Sequence, residues 1–484
     1  TIFLNAGSDV SIQSITNSSN VAIQSGRDVI LGSINAGTAS VTIDANRDIK
    51  DNDPASNSTN ITANALAMKA GGKIGDSDLS APADTNRNAI GTRVNTLAAQ
   101  SATGIYVQES DGVTIDSVSV ATKQVNFNSS TSNQSQSLED LTTTNNGPIK
   151  LQSLSGDIVV NPGTAGTDGI NANGSGDILL QSLANGSITA NANMVSGSGN
   201  ITLTAPGSIQ SNASIQTSNP GTIFLNAGSD ISIQSITNSS NVAIQSGRDV
   251  ILGSINAGTG SVTIDASRDI KDNDSASNST NITANAVAMK AGGKIGDSDL
   301  SAPADTNRNA IGTRVNTLAA QSATGIYVQE SDGVTIDSVA VATNRVNFNS
   351  TTTAQSQSLE DLTTTNNGPI KLQSLSGDIV VNPGTAGTDG INANGSGDIL
   401  LQSLANGSIT ANANIVSGSG NITLTAPGAI QSNASIQTSN PGTIFLNAGS
   451  DVSIQSITNS SNVAIQSGRD VILGSINAGT ASVT

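Results

Sequence analysis

Apolar residues in this chain fall in short alternating runs, each closed by small polar residues. Ile2 and Leu4 in TIFLNA, Val21 and Ile23 in NVAIQSG, and Val41 and Ile43 in SVTIDA keep a spacing of two. That is the period of a half-buried strand. After a turn a second run follows, as in SDVSIQSI (Val10, Ile12, Ile15) and RDVILGSI (Val29, Ile30, Ile34). Strands of the same type are predicted from Ile105 (GIYVQE), Val125 (QVNFNS), Ile149, Ile178, Ile201 and Ile223.

Many of these returns come at 19 to 24 residues, with a longer one from Ile149 to Ile178. A near-constant return lays like strand over like strand, whereas a sandwich needs hairpins. The pattern therefore predicts an all-β fold, a parallel β-helix or β-solenoid, with coils stacked ~4.8 Å apart. Alternate residues point inward and form rows of Ile, Val and Leu, and the others face water. About ten coils are expected per copy of the repeat described next, giving an elongated rod ~50 Å long per copy and ~105 Å for the chain. Three stretches interrupt the coils and are expected as loops or decorations: 73–94, 128–148 and 161–176. The SLEDL segment (137–141) is too short for more than a turn of helix.

The whole pattern repeats. TIFLNAGSD returns at 222 and again at 443, a constant period of 221 residues. The chain reads as copy 1 (1–221), copy 2 (222–442) and the opening of copy 3 (443–484), one continuous solenoid with no unique domain. Copies 1 and 2 differ at thirteen positions, and apolar residues change only into apolar ones, as in Val10/Ile231, Leu66/Val287 and Met194/Ile415. Six differences fall between 119 and 133, which fits a surface segment. Because the chain starts and stops inside the repeat, it is expected to be a segment of a longer protein.

Composition supports a narrow interior. Aromatic residues make up 1% of the chain, Trp is absent, and the apolar share is 35%. A large globule leans on aromatic burial, and this chain does not. The recurring β-branched runs and the scarcity of Pro, eleven in all, argue against disorder. The net charge of −17 is spread evenly over the copies, with no basic face for phosphates, which disfavours nucleic acid and anionic lipid. Cys and His are both absent, and no apolar run is long enough to span a membrane as a helix.

Candidate chemistry is sparse. Arg27 beside Asp28 and Arg47 beside Asp48 lie about one coil apart and read as solvated turns with modest ion pairs. Asp48, Asp51 and Asp53 gather in RDIKDND, but neither an EF-hand loop nor a GGxGxD repeat is present, so no metal site is assigned. Glu109 and Asp111 in VQESDG sit on an expected turn, with nothing nearby to suggest the burial that tunes a catalytic carboxylate. Sequons such as Asn57-Ser58-Thr59 and Asn200-Ile201-Thr202 are expected by composition alone. GSGDI (174–178) and GSGNI (197–201) read as turns rather than phosphate cradles, and the Thr-x-Thr of ITLT (201–204) stands isolated. No catalytic, cofactor-binding or metal residue is assigned, no cofactor is expected, and the chain is read as not an enzyme.

The coils NITLTAPGSIQS (200–211), GTIFLNAGSDVSIQS and NVAIQSGRDVILGSI resemble those of filamentous-haemagglutinin-like large exoproteins of Gram-negative bacteria. The element KIGDSDLSAPADTNRNAIGTRVNTLAAQSATGIYVQESDGVTI (73–115) carries the same resemblance, which covers essentially the whole chain. The resemblance implies a right-handed parallel β-helix, export through a dedicated outer-membrane partner, and work as an extracellular or cell-surface fibre or adhesin. No binding residue is carried over. The expected function is a non-enzymatic structural or adhesive fibre, with reach and multivalent display supplied by repetition. Its expected partners are copies of itself, in filaments or a sheath, and a host-cell, neighbouring-cell or matrix surface, glycans included. The alternative is a carbohydrate-binding or carbohydrate-cleaving β-helix, which a groove lined by several carboxylates or cations would favour.

Overall fold

Ile, Val and Leu on alternate positions, separated by Gly, Asn and Ser turns, fold as the pattern predicts. The computed structural model describes residues 1–16, 19–53, 58–237, 240–273, 279–304, 306–458 and 461–484. All regular structure among them is β-strand, and apart from two antiparallel hairpins the strands pair in parallel. The fold is a parallel β-solenoid. Among the described residues no helix is long and apolar enough to cross a membrane.

The chain divides into two compact units. Unit 1 comprises Thr1–Asp230, Gln234–Ser240 and Thr343–Gln355, and unit 2 comprises Ile231–Ile233, Asn241–Ala342 and Ser356–Thr484.

In unit 1 one inward row runs Val10, Val29, Ile49, Ile74, Ile105, Ile149, Ile178, Ile201, Ile223, each residue in register with the next. From Val29 onward every member is fully buried. These side chains are stacked directly, so burial is shared along the row and each interior coil stabilises two neighbours. Eight coil-to-coil pairings carry the row from Val10 to Ile223. The coils are thus fewer and longer than the about ten expected, because the excursions lengthen them. The row that begins at Val10 ends at Ile223, the sequence equivalent of Ile2. One copy is therefore not a whole number of coils.

Polar side chains form rows of their own on the outside. Gln108 Nε2 donates to Gln152 Oε1 at 2.8 Å and Gln152 Nε2 donates to Gln181 Oε1 at 2.9 Å. Asn212, Asn191 and Asn161 make a second amide row with steps of 2.8 and 3.0 Å. In the turn after Val21–Ser25 there is no room for a side chain at one position: a Cβ on Gly26 would lie 2.3 Å from the carbonyl oxygen of Gly7 one coil below. Glycine is required there by close approach rather than by flexibility.

Four sequence expectations change. Val125 does not begin a coil strand; it ends Val118–Val125, which pairs antiparallel with Thr131–Leu138 as a hairpin lying across the outer face of the coils. Its base is held because Val118 and Val120 pack on the small outward residues Ala67 and Ala98, and Gln136 Oε1 accepts from the Thr42 hydroxyl at 2.5 Å. The pattern misled because a hairpin strand laid flat on a sheet has the same period as a coil strand. The 128–148 stretch, expected as a loop or decoration, supplies the second strand of this surface hairpin and also a coil strand, Leu141–Thr143. The 161–176 stretch contains the coil strand Asp168–Ala172, and 73–94 contains Lys73–Ile74 and the start of Ile90–Ser101.

Unit 2 repeats the register: Val250, Ile270, Ile295, Ile326, Ile370, Ile399, Ile422 and Ile444 form the equivalent row.

Candidate functional site

The second hairpin, formed by Val339–Val346 and Thr352–Leu359, carries the sequence Arg345-Val346-Asn347-Phe348-Asn349 near its tip. Alternation puts Val346 and Phe348 on one face and the polar residues on the other. In unit 1 that apolar face is seated in a socket, where Val346 and Phe348 pack with Ala89, Tyr106 and Leu179. Both tip residues are fully buried. The socket wall is the 75–89 loop, which leaves the coil at Gly75, where φ is 66°, and returns at Ile90. Its floor is the outward face of the Gly104–Glu109, Ile149–Ser153 and Ile178–Ser182 strands.

Polar groups then fix the register. The Asn349 amide N–H donates to the Ala83 carbonyl at 3.1 Å, and Asn349 Nδ2 donates to the Ala81 carbonyl at 2.8 Å. The Val346 N–H donates to Thr202 Oγ1 at 2.8 Å and the Asn344 N–H to Thr222 Oγ1 at 2.9 Å. Arg345 Nη2 reaches Asp84 Oδ1 at 2.8 Å. Beneath the tip lies Lys150, 1% exposed, whose Nζ donates to the Asn347 carbonyl at 2.9 Å. Burial pushes its ammonium down to about 8, opposed by the charge of Asp177. A buried lysine costs free energy unless it is well bonded, so the hairpin tip both creates that cost and offsets part of it.

The equivalent surface of unit 2 is open. Leu300, Ala304, Ala310, Tyr327, Lys371 and Leu400 line a cavity of about 260 Å³. Lys371, the equivalent of Lys150, is exposed and stands 5.8 Å over the Tyr327 ring. Conversely, the first hairpin's tip is bare: Val125 is 76% exposed and Phe127 fully so.

The residues singled out in the sequence are placed as follows. Asp28 does not pair with its neighbour Arg27; Arg27 reaches Asp9 at 3.5 Å and Arg47 reaches Asp28 at 3.6 Å, each arginine meeting the aspartate one coil below. Lys50 adds contacts of 2.8 Å to Asp28 and 3.2 Å to Asp48. Asp51 accepts from Asn60 Nδ2 at 2.7 Å and from the Asp53 N–H at 3.1 Å, and no cluster of three metal-ligating side chains occurs among the described residues. Asn57 lies outside the described residues. Asn200 is bonded on both sides, donating to Asp177 at 3.1 Å and accepting from Thr222 at 3.0 Å.

Glu109 departs from its expected setting. It ends a coil strand, points inward and has no exposed surface. The Thr92 hydroxyl donates to it at 2.7 Å, the Val94 N–H at 3.1 Å and the Ser110 N–H at 3.0 Å. Desolvation outweighs these donors and pushes its carboxyl up to about 8; Glu330 in unit 2 is pushed to about 7 for the same reason. A carboxyl sealed in this way can bond the chain but cannot meet a substrate. Asp140, at the hairpin's base with φ of 64°, is also raised, to about 6, by burial and by Glu139 beside it.

No family model matches the chain, and neither a curated protein nor a solved structure matches it.

Proposed function

We propose that the chain is a structural module of an extracellular or cell-surface fibre, non-enzymatic, in which the 221-residue copies are locked together and present the same surfaces repeatedly. The observation that carries this reading is the seated tip: Phe348, a residue of copy 2 by sequence, is buried against Tyr106 and Leu179 of copy 1. A clasp between copies has an evident use in a protein that bears load or holds a fixed spacing. It serves no purpose in chemistry at a single site. The sealed carboxyls support the same reading, since Glu109 and Glu330, the acids raised furthest among the described residues, have no exposed surface. Adhesion follows from repetition, because weak contacts spaced along one chain add up to avidity.

The test is immunolabelling of intact producing cells with an antibody against this chain, alongside incubation of the purified chain with a panel of polysaccharides. Label on fibres outside unpermeabilised cells, with no sugar released, is the expected result. Label that appears only after permeabilisation would overturn the reading, and released oligosaccharide would replace it with the carbohydrate-cleaving one.

A further inference from the structure

The socket of unit 2 matches the filled socket of unit 1 side chain for side chain. Leu79/Leu300, Ala81/Ala302, Ala83/Ala304, Ala89/Ala310, Tyr106/Tyr327, Lys150/Lys371 and Leu179/Leu400 are identical pairs. The surface beyond the socket matches as well. Thr443 Oγ1 donates to Asn421 at 2.8 Å as Thr222 Oγ1 donates to Asn200 at 3.0 Å, so it presents the same face that accepts the Asn344 N–H in unit 1. We propose that the Tyr327–Lys371 socket is the receptor for the hairpin tip of a further copy of the repeat, the copy that opens at Thr443.

The occupant's shape is already known from the bare tip. Asn126 Nδ2 donates to Ser130 Oγ at 2.9 Å and Ser132 Oγ at 2.8 Å, and the Asn126 N–H donates to the Ser130 carbonyl at 2.9 Å. The seated tip makes the same bonds, from Asn347 to Thr351 and Thr353, at 2.9 Å each. The tip thus holds its seated form without a socket, and little ordering is left for docking to impose. A second molecule is a poorer occupant. Its own Thr1 and Asn20 lie under its first hairpin, with the Lys123 N–H on Thr1 Oγ1 at 3.3 Å and Asn20 Nδ2 on the Ala121 carbonyl at 2.9 Å. Those residues claim the place that Thr443 and its coil occupy beside the socket.

The site depends on the clasp described under Proposed function and not on where the protein works, so cell labelling and the following experiment fail independently. The probe is a synthetic cyclised peptide of residues 343–355, titrated into the chain, with acylation of Lys371 read by mass spectrometry. One peptide per chain and at least tenfold protection of Lys371 are expected, with Lys150 unreactive throughout. The Phe348→Ala peptide should protect nothing, and the Phe348→Ala chain should take two wild-type peptides. As a second measurement, the chain lengthened by one full repeat should show Lys371 protected without peptide. Lys371 equally reactive in the lengthened chain would overturn the proposal. So would concentration-dependent self-association of the present chain that Phe127→Ala abolishes, because the occupant would then be a second molecule.

Discussion

Phe348 is fully buried and Phe127, its equivalent in the preceding copy, is fully exposed, although the residues on either side of each are identical. The pair separates sequence from context. The same Val-Asn-Phe-Asn tip is a core element in one place and a bare apolar surface in the other.

Truncating the two phenylalanines should therefore have unequal costs. Phe348→Ala removes a packed aromatic and is expected to destabilise the seated tip by about 3–5 kcal/mol, whereas Phe127→Ala should stay within about 0.5 kcal/mol. Repeat arrays need not unfold in one step, so the comparison is best made by local hydrogen exchange across 339–359 and 118–138.

Lys150 and Lys371 make a second internal control. Acylation under native conditions should modify Lys371 and spare Lys150, which is closed over by the tip and bonded to the Asn347 carbonyl. Phe348→Ala should make Lys150 reactive. Equal labelling of both lysines in the wild type would contradict the seated tip.

Buried carboxyls set a pH dependence. The folded-state values of Glu109 and Glu330, about 8 and about 7, lie above the ordinary 4.5. Between pH 4.5 and those values the unfolded chain has released protons that the folded chain keeps, so stability is highest below the unfolded value and falls as pH rises through the window. Denaturant midpoints should drop from pH 5 to 8, and Glu109→Gln with Glu330→Gln should flatten the profile. The Thr92 hydroxyl can turn to accept from the new amide. A wild-type midpoint that rises over this range would count against the assignment.

Asn60 is a polar staple inside the coils. Its Nδ2 donates to Asp51 at 2.7 Å and lies 3.3 and 3.2 Å from the carbonyls of Leu31 and Gly32, while its Oδ1 accepts from the Gly91 N–H at 2.8 Å. Asn60→Ala leaves buried partners unmet, at about 1–3 kcal/mol for each group that water cannot reach. Loss of exchange protection at the Gly91 amide, with little change in the hairpin, is the expected signature.

The coil rows were legible in the sequence because Ile, Val and Leu at alternate positions admit one inward face, and the row from Val10 to Ile223 follows directly. The hairpin was not. Val125 and Phe127 alternate as any coil strand does, and only the distant contacts of Val118 and Val120 with Ala67 and Ala98 tell the two apart. By sequence alone Glu109 falls on a turn, because its neighbours Ser110, Asp111 and Gly112 are turn residues. Its inward direction is set by the strand's phase, which places it in step with Ile105 and Val107. The pairing of Asp28 with Arg47 rather than with Arg27 is likewise a property of coil stacking, since the turn of one coil lies over the turn of the next and brings Arg47 onto Asp28.

The most direct test of the clasp is hydrogen exchange of the unmodified chain, comparing the two hairpin tips, whose peptides differ in mass. The account predicts slow exchange at Val346 and Asn349, whose amides are bonded to Thr202 and Ala83, and fast exchange at Val125 and Asn128. Equal, fast exchange at both tips would contradict it, because Phe348 would then be no better held than Phe127.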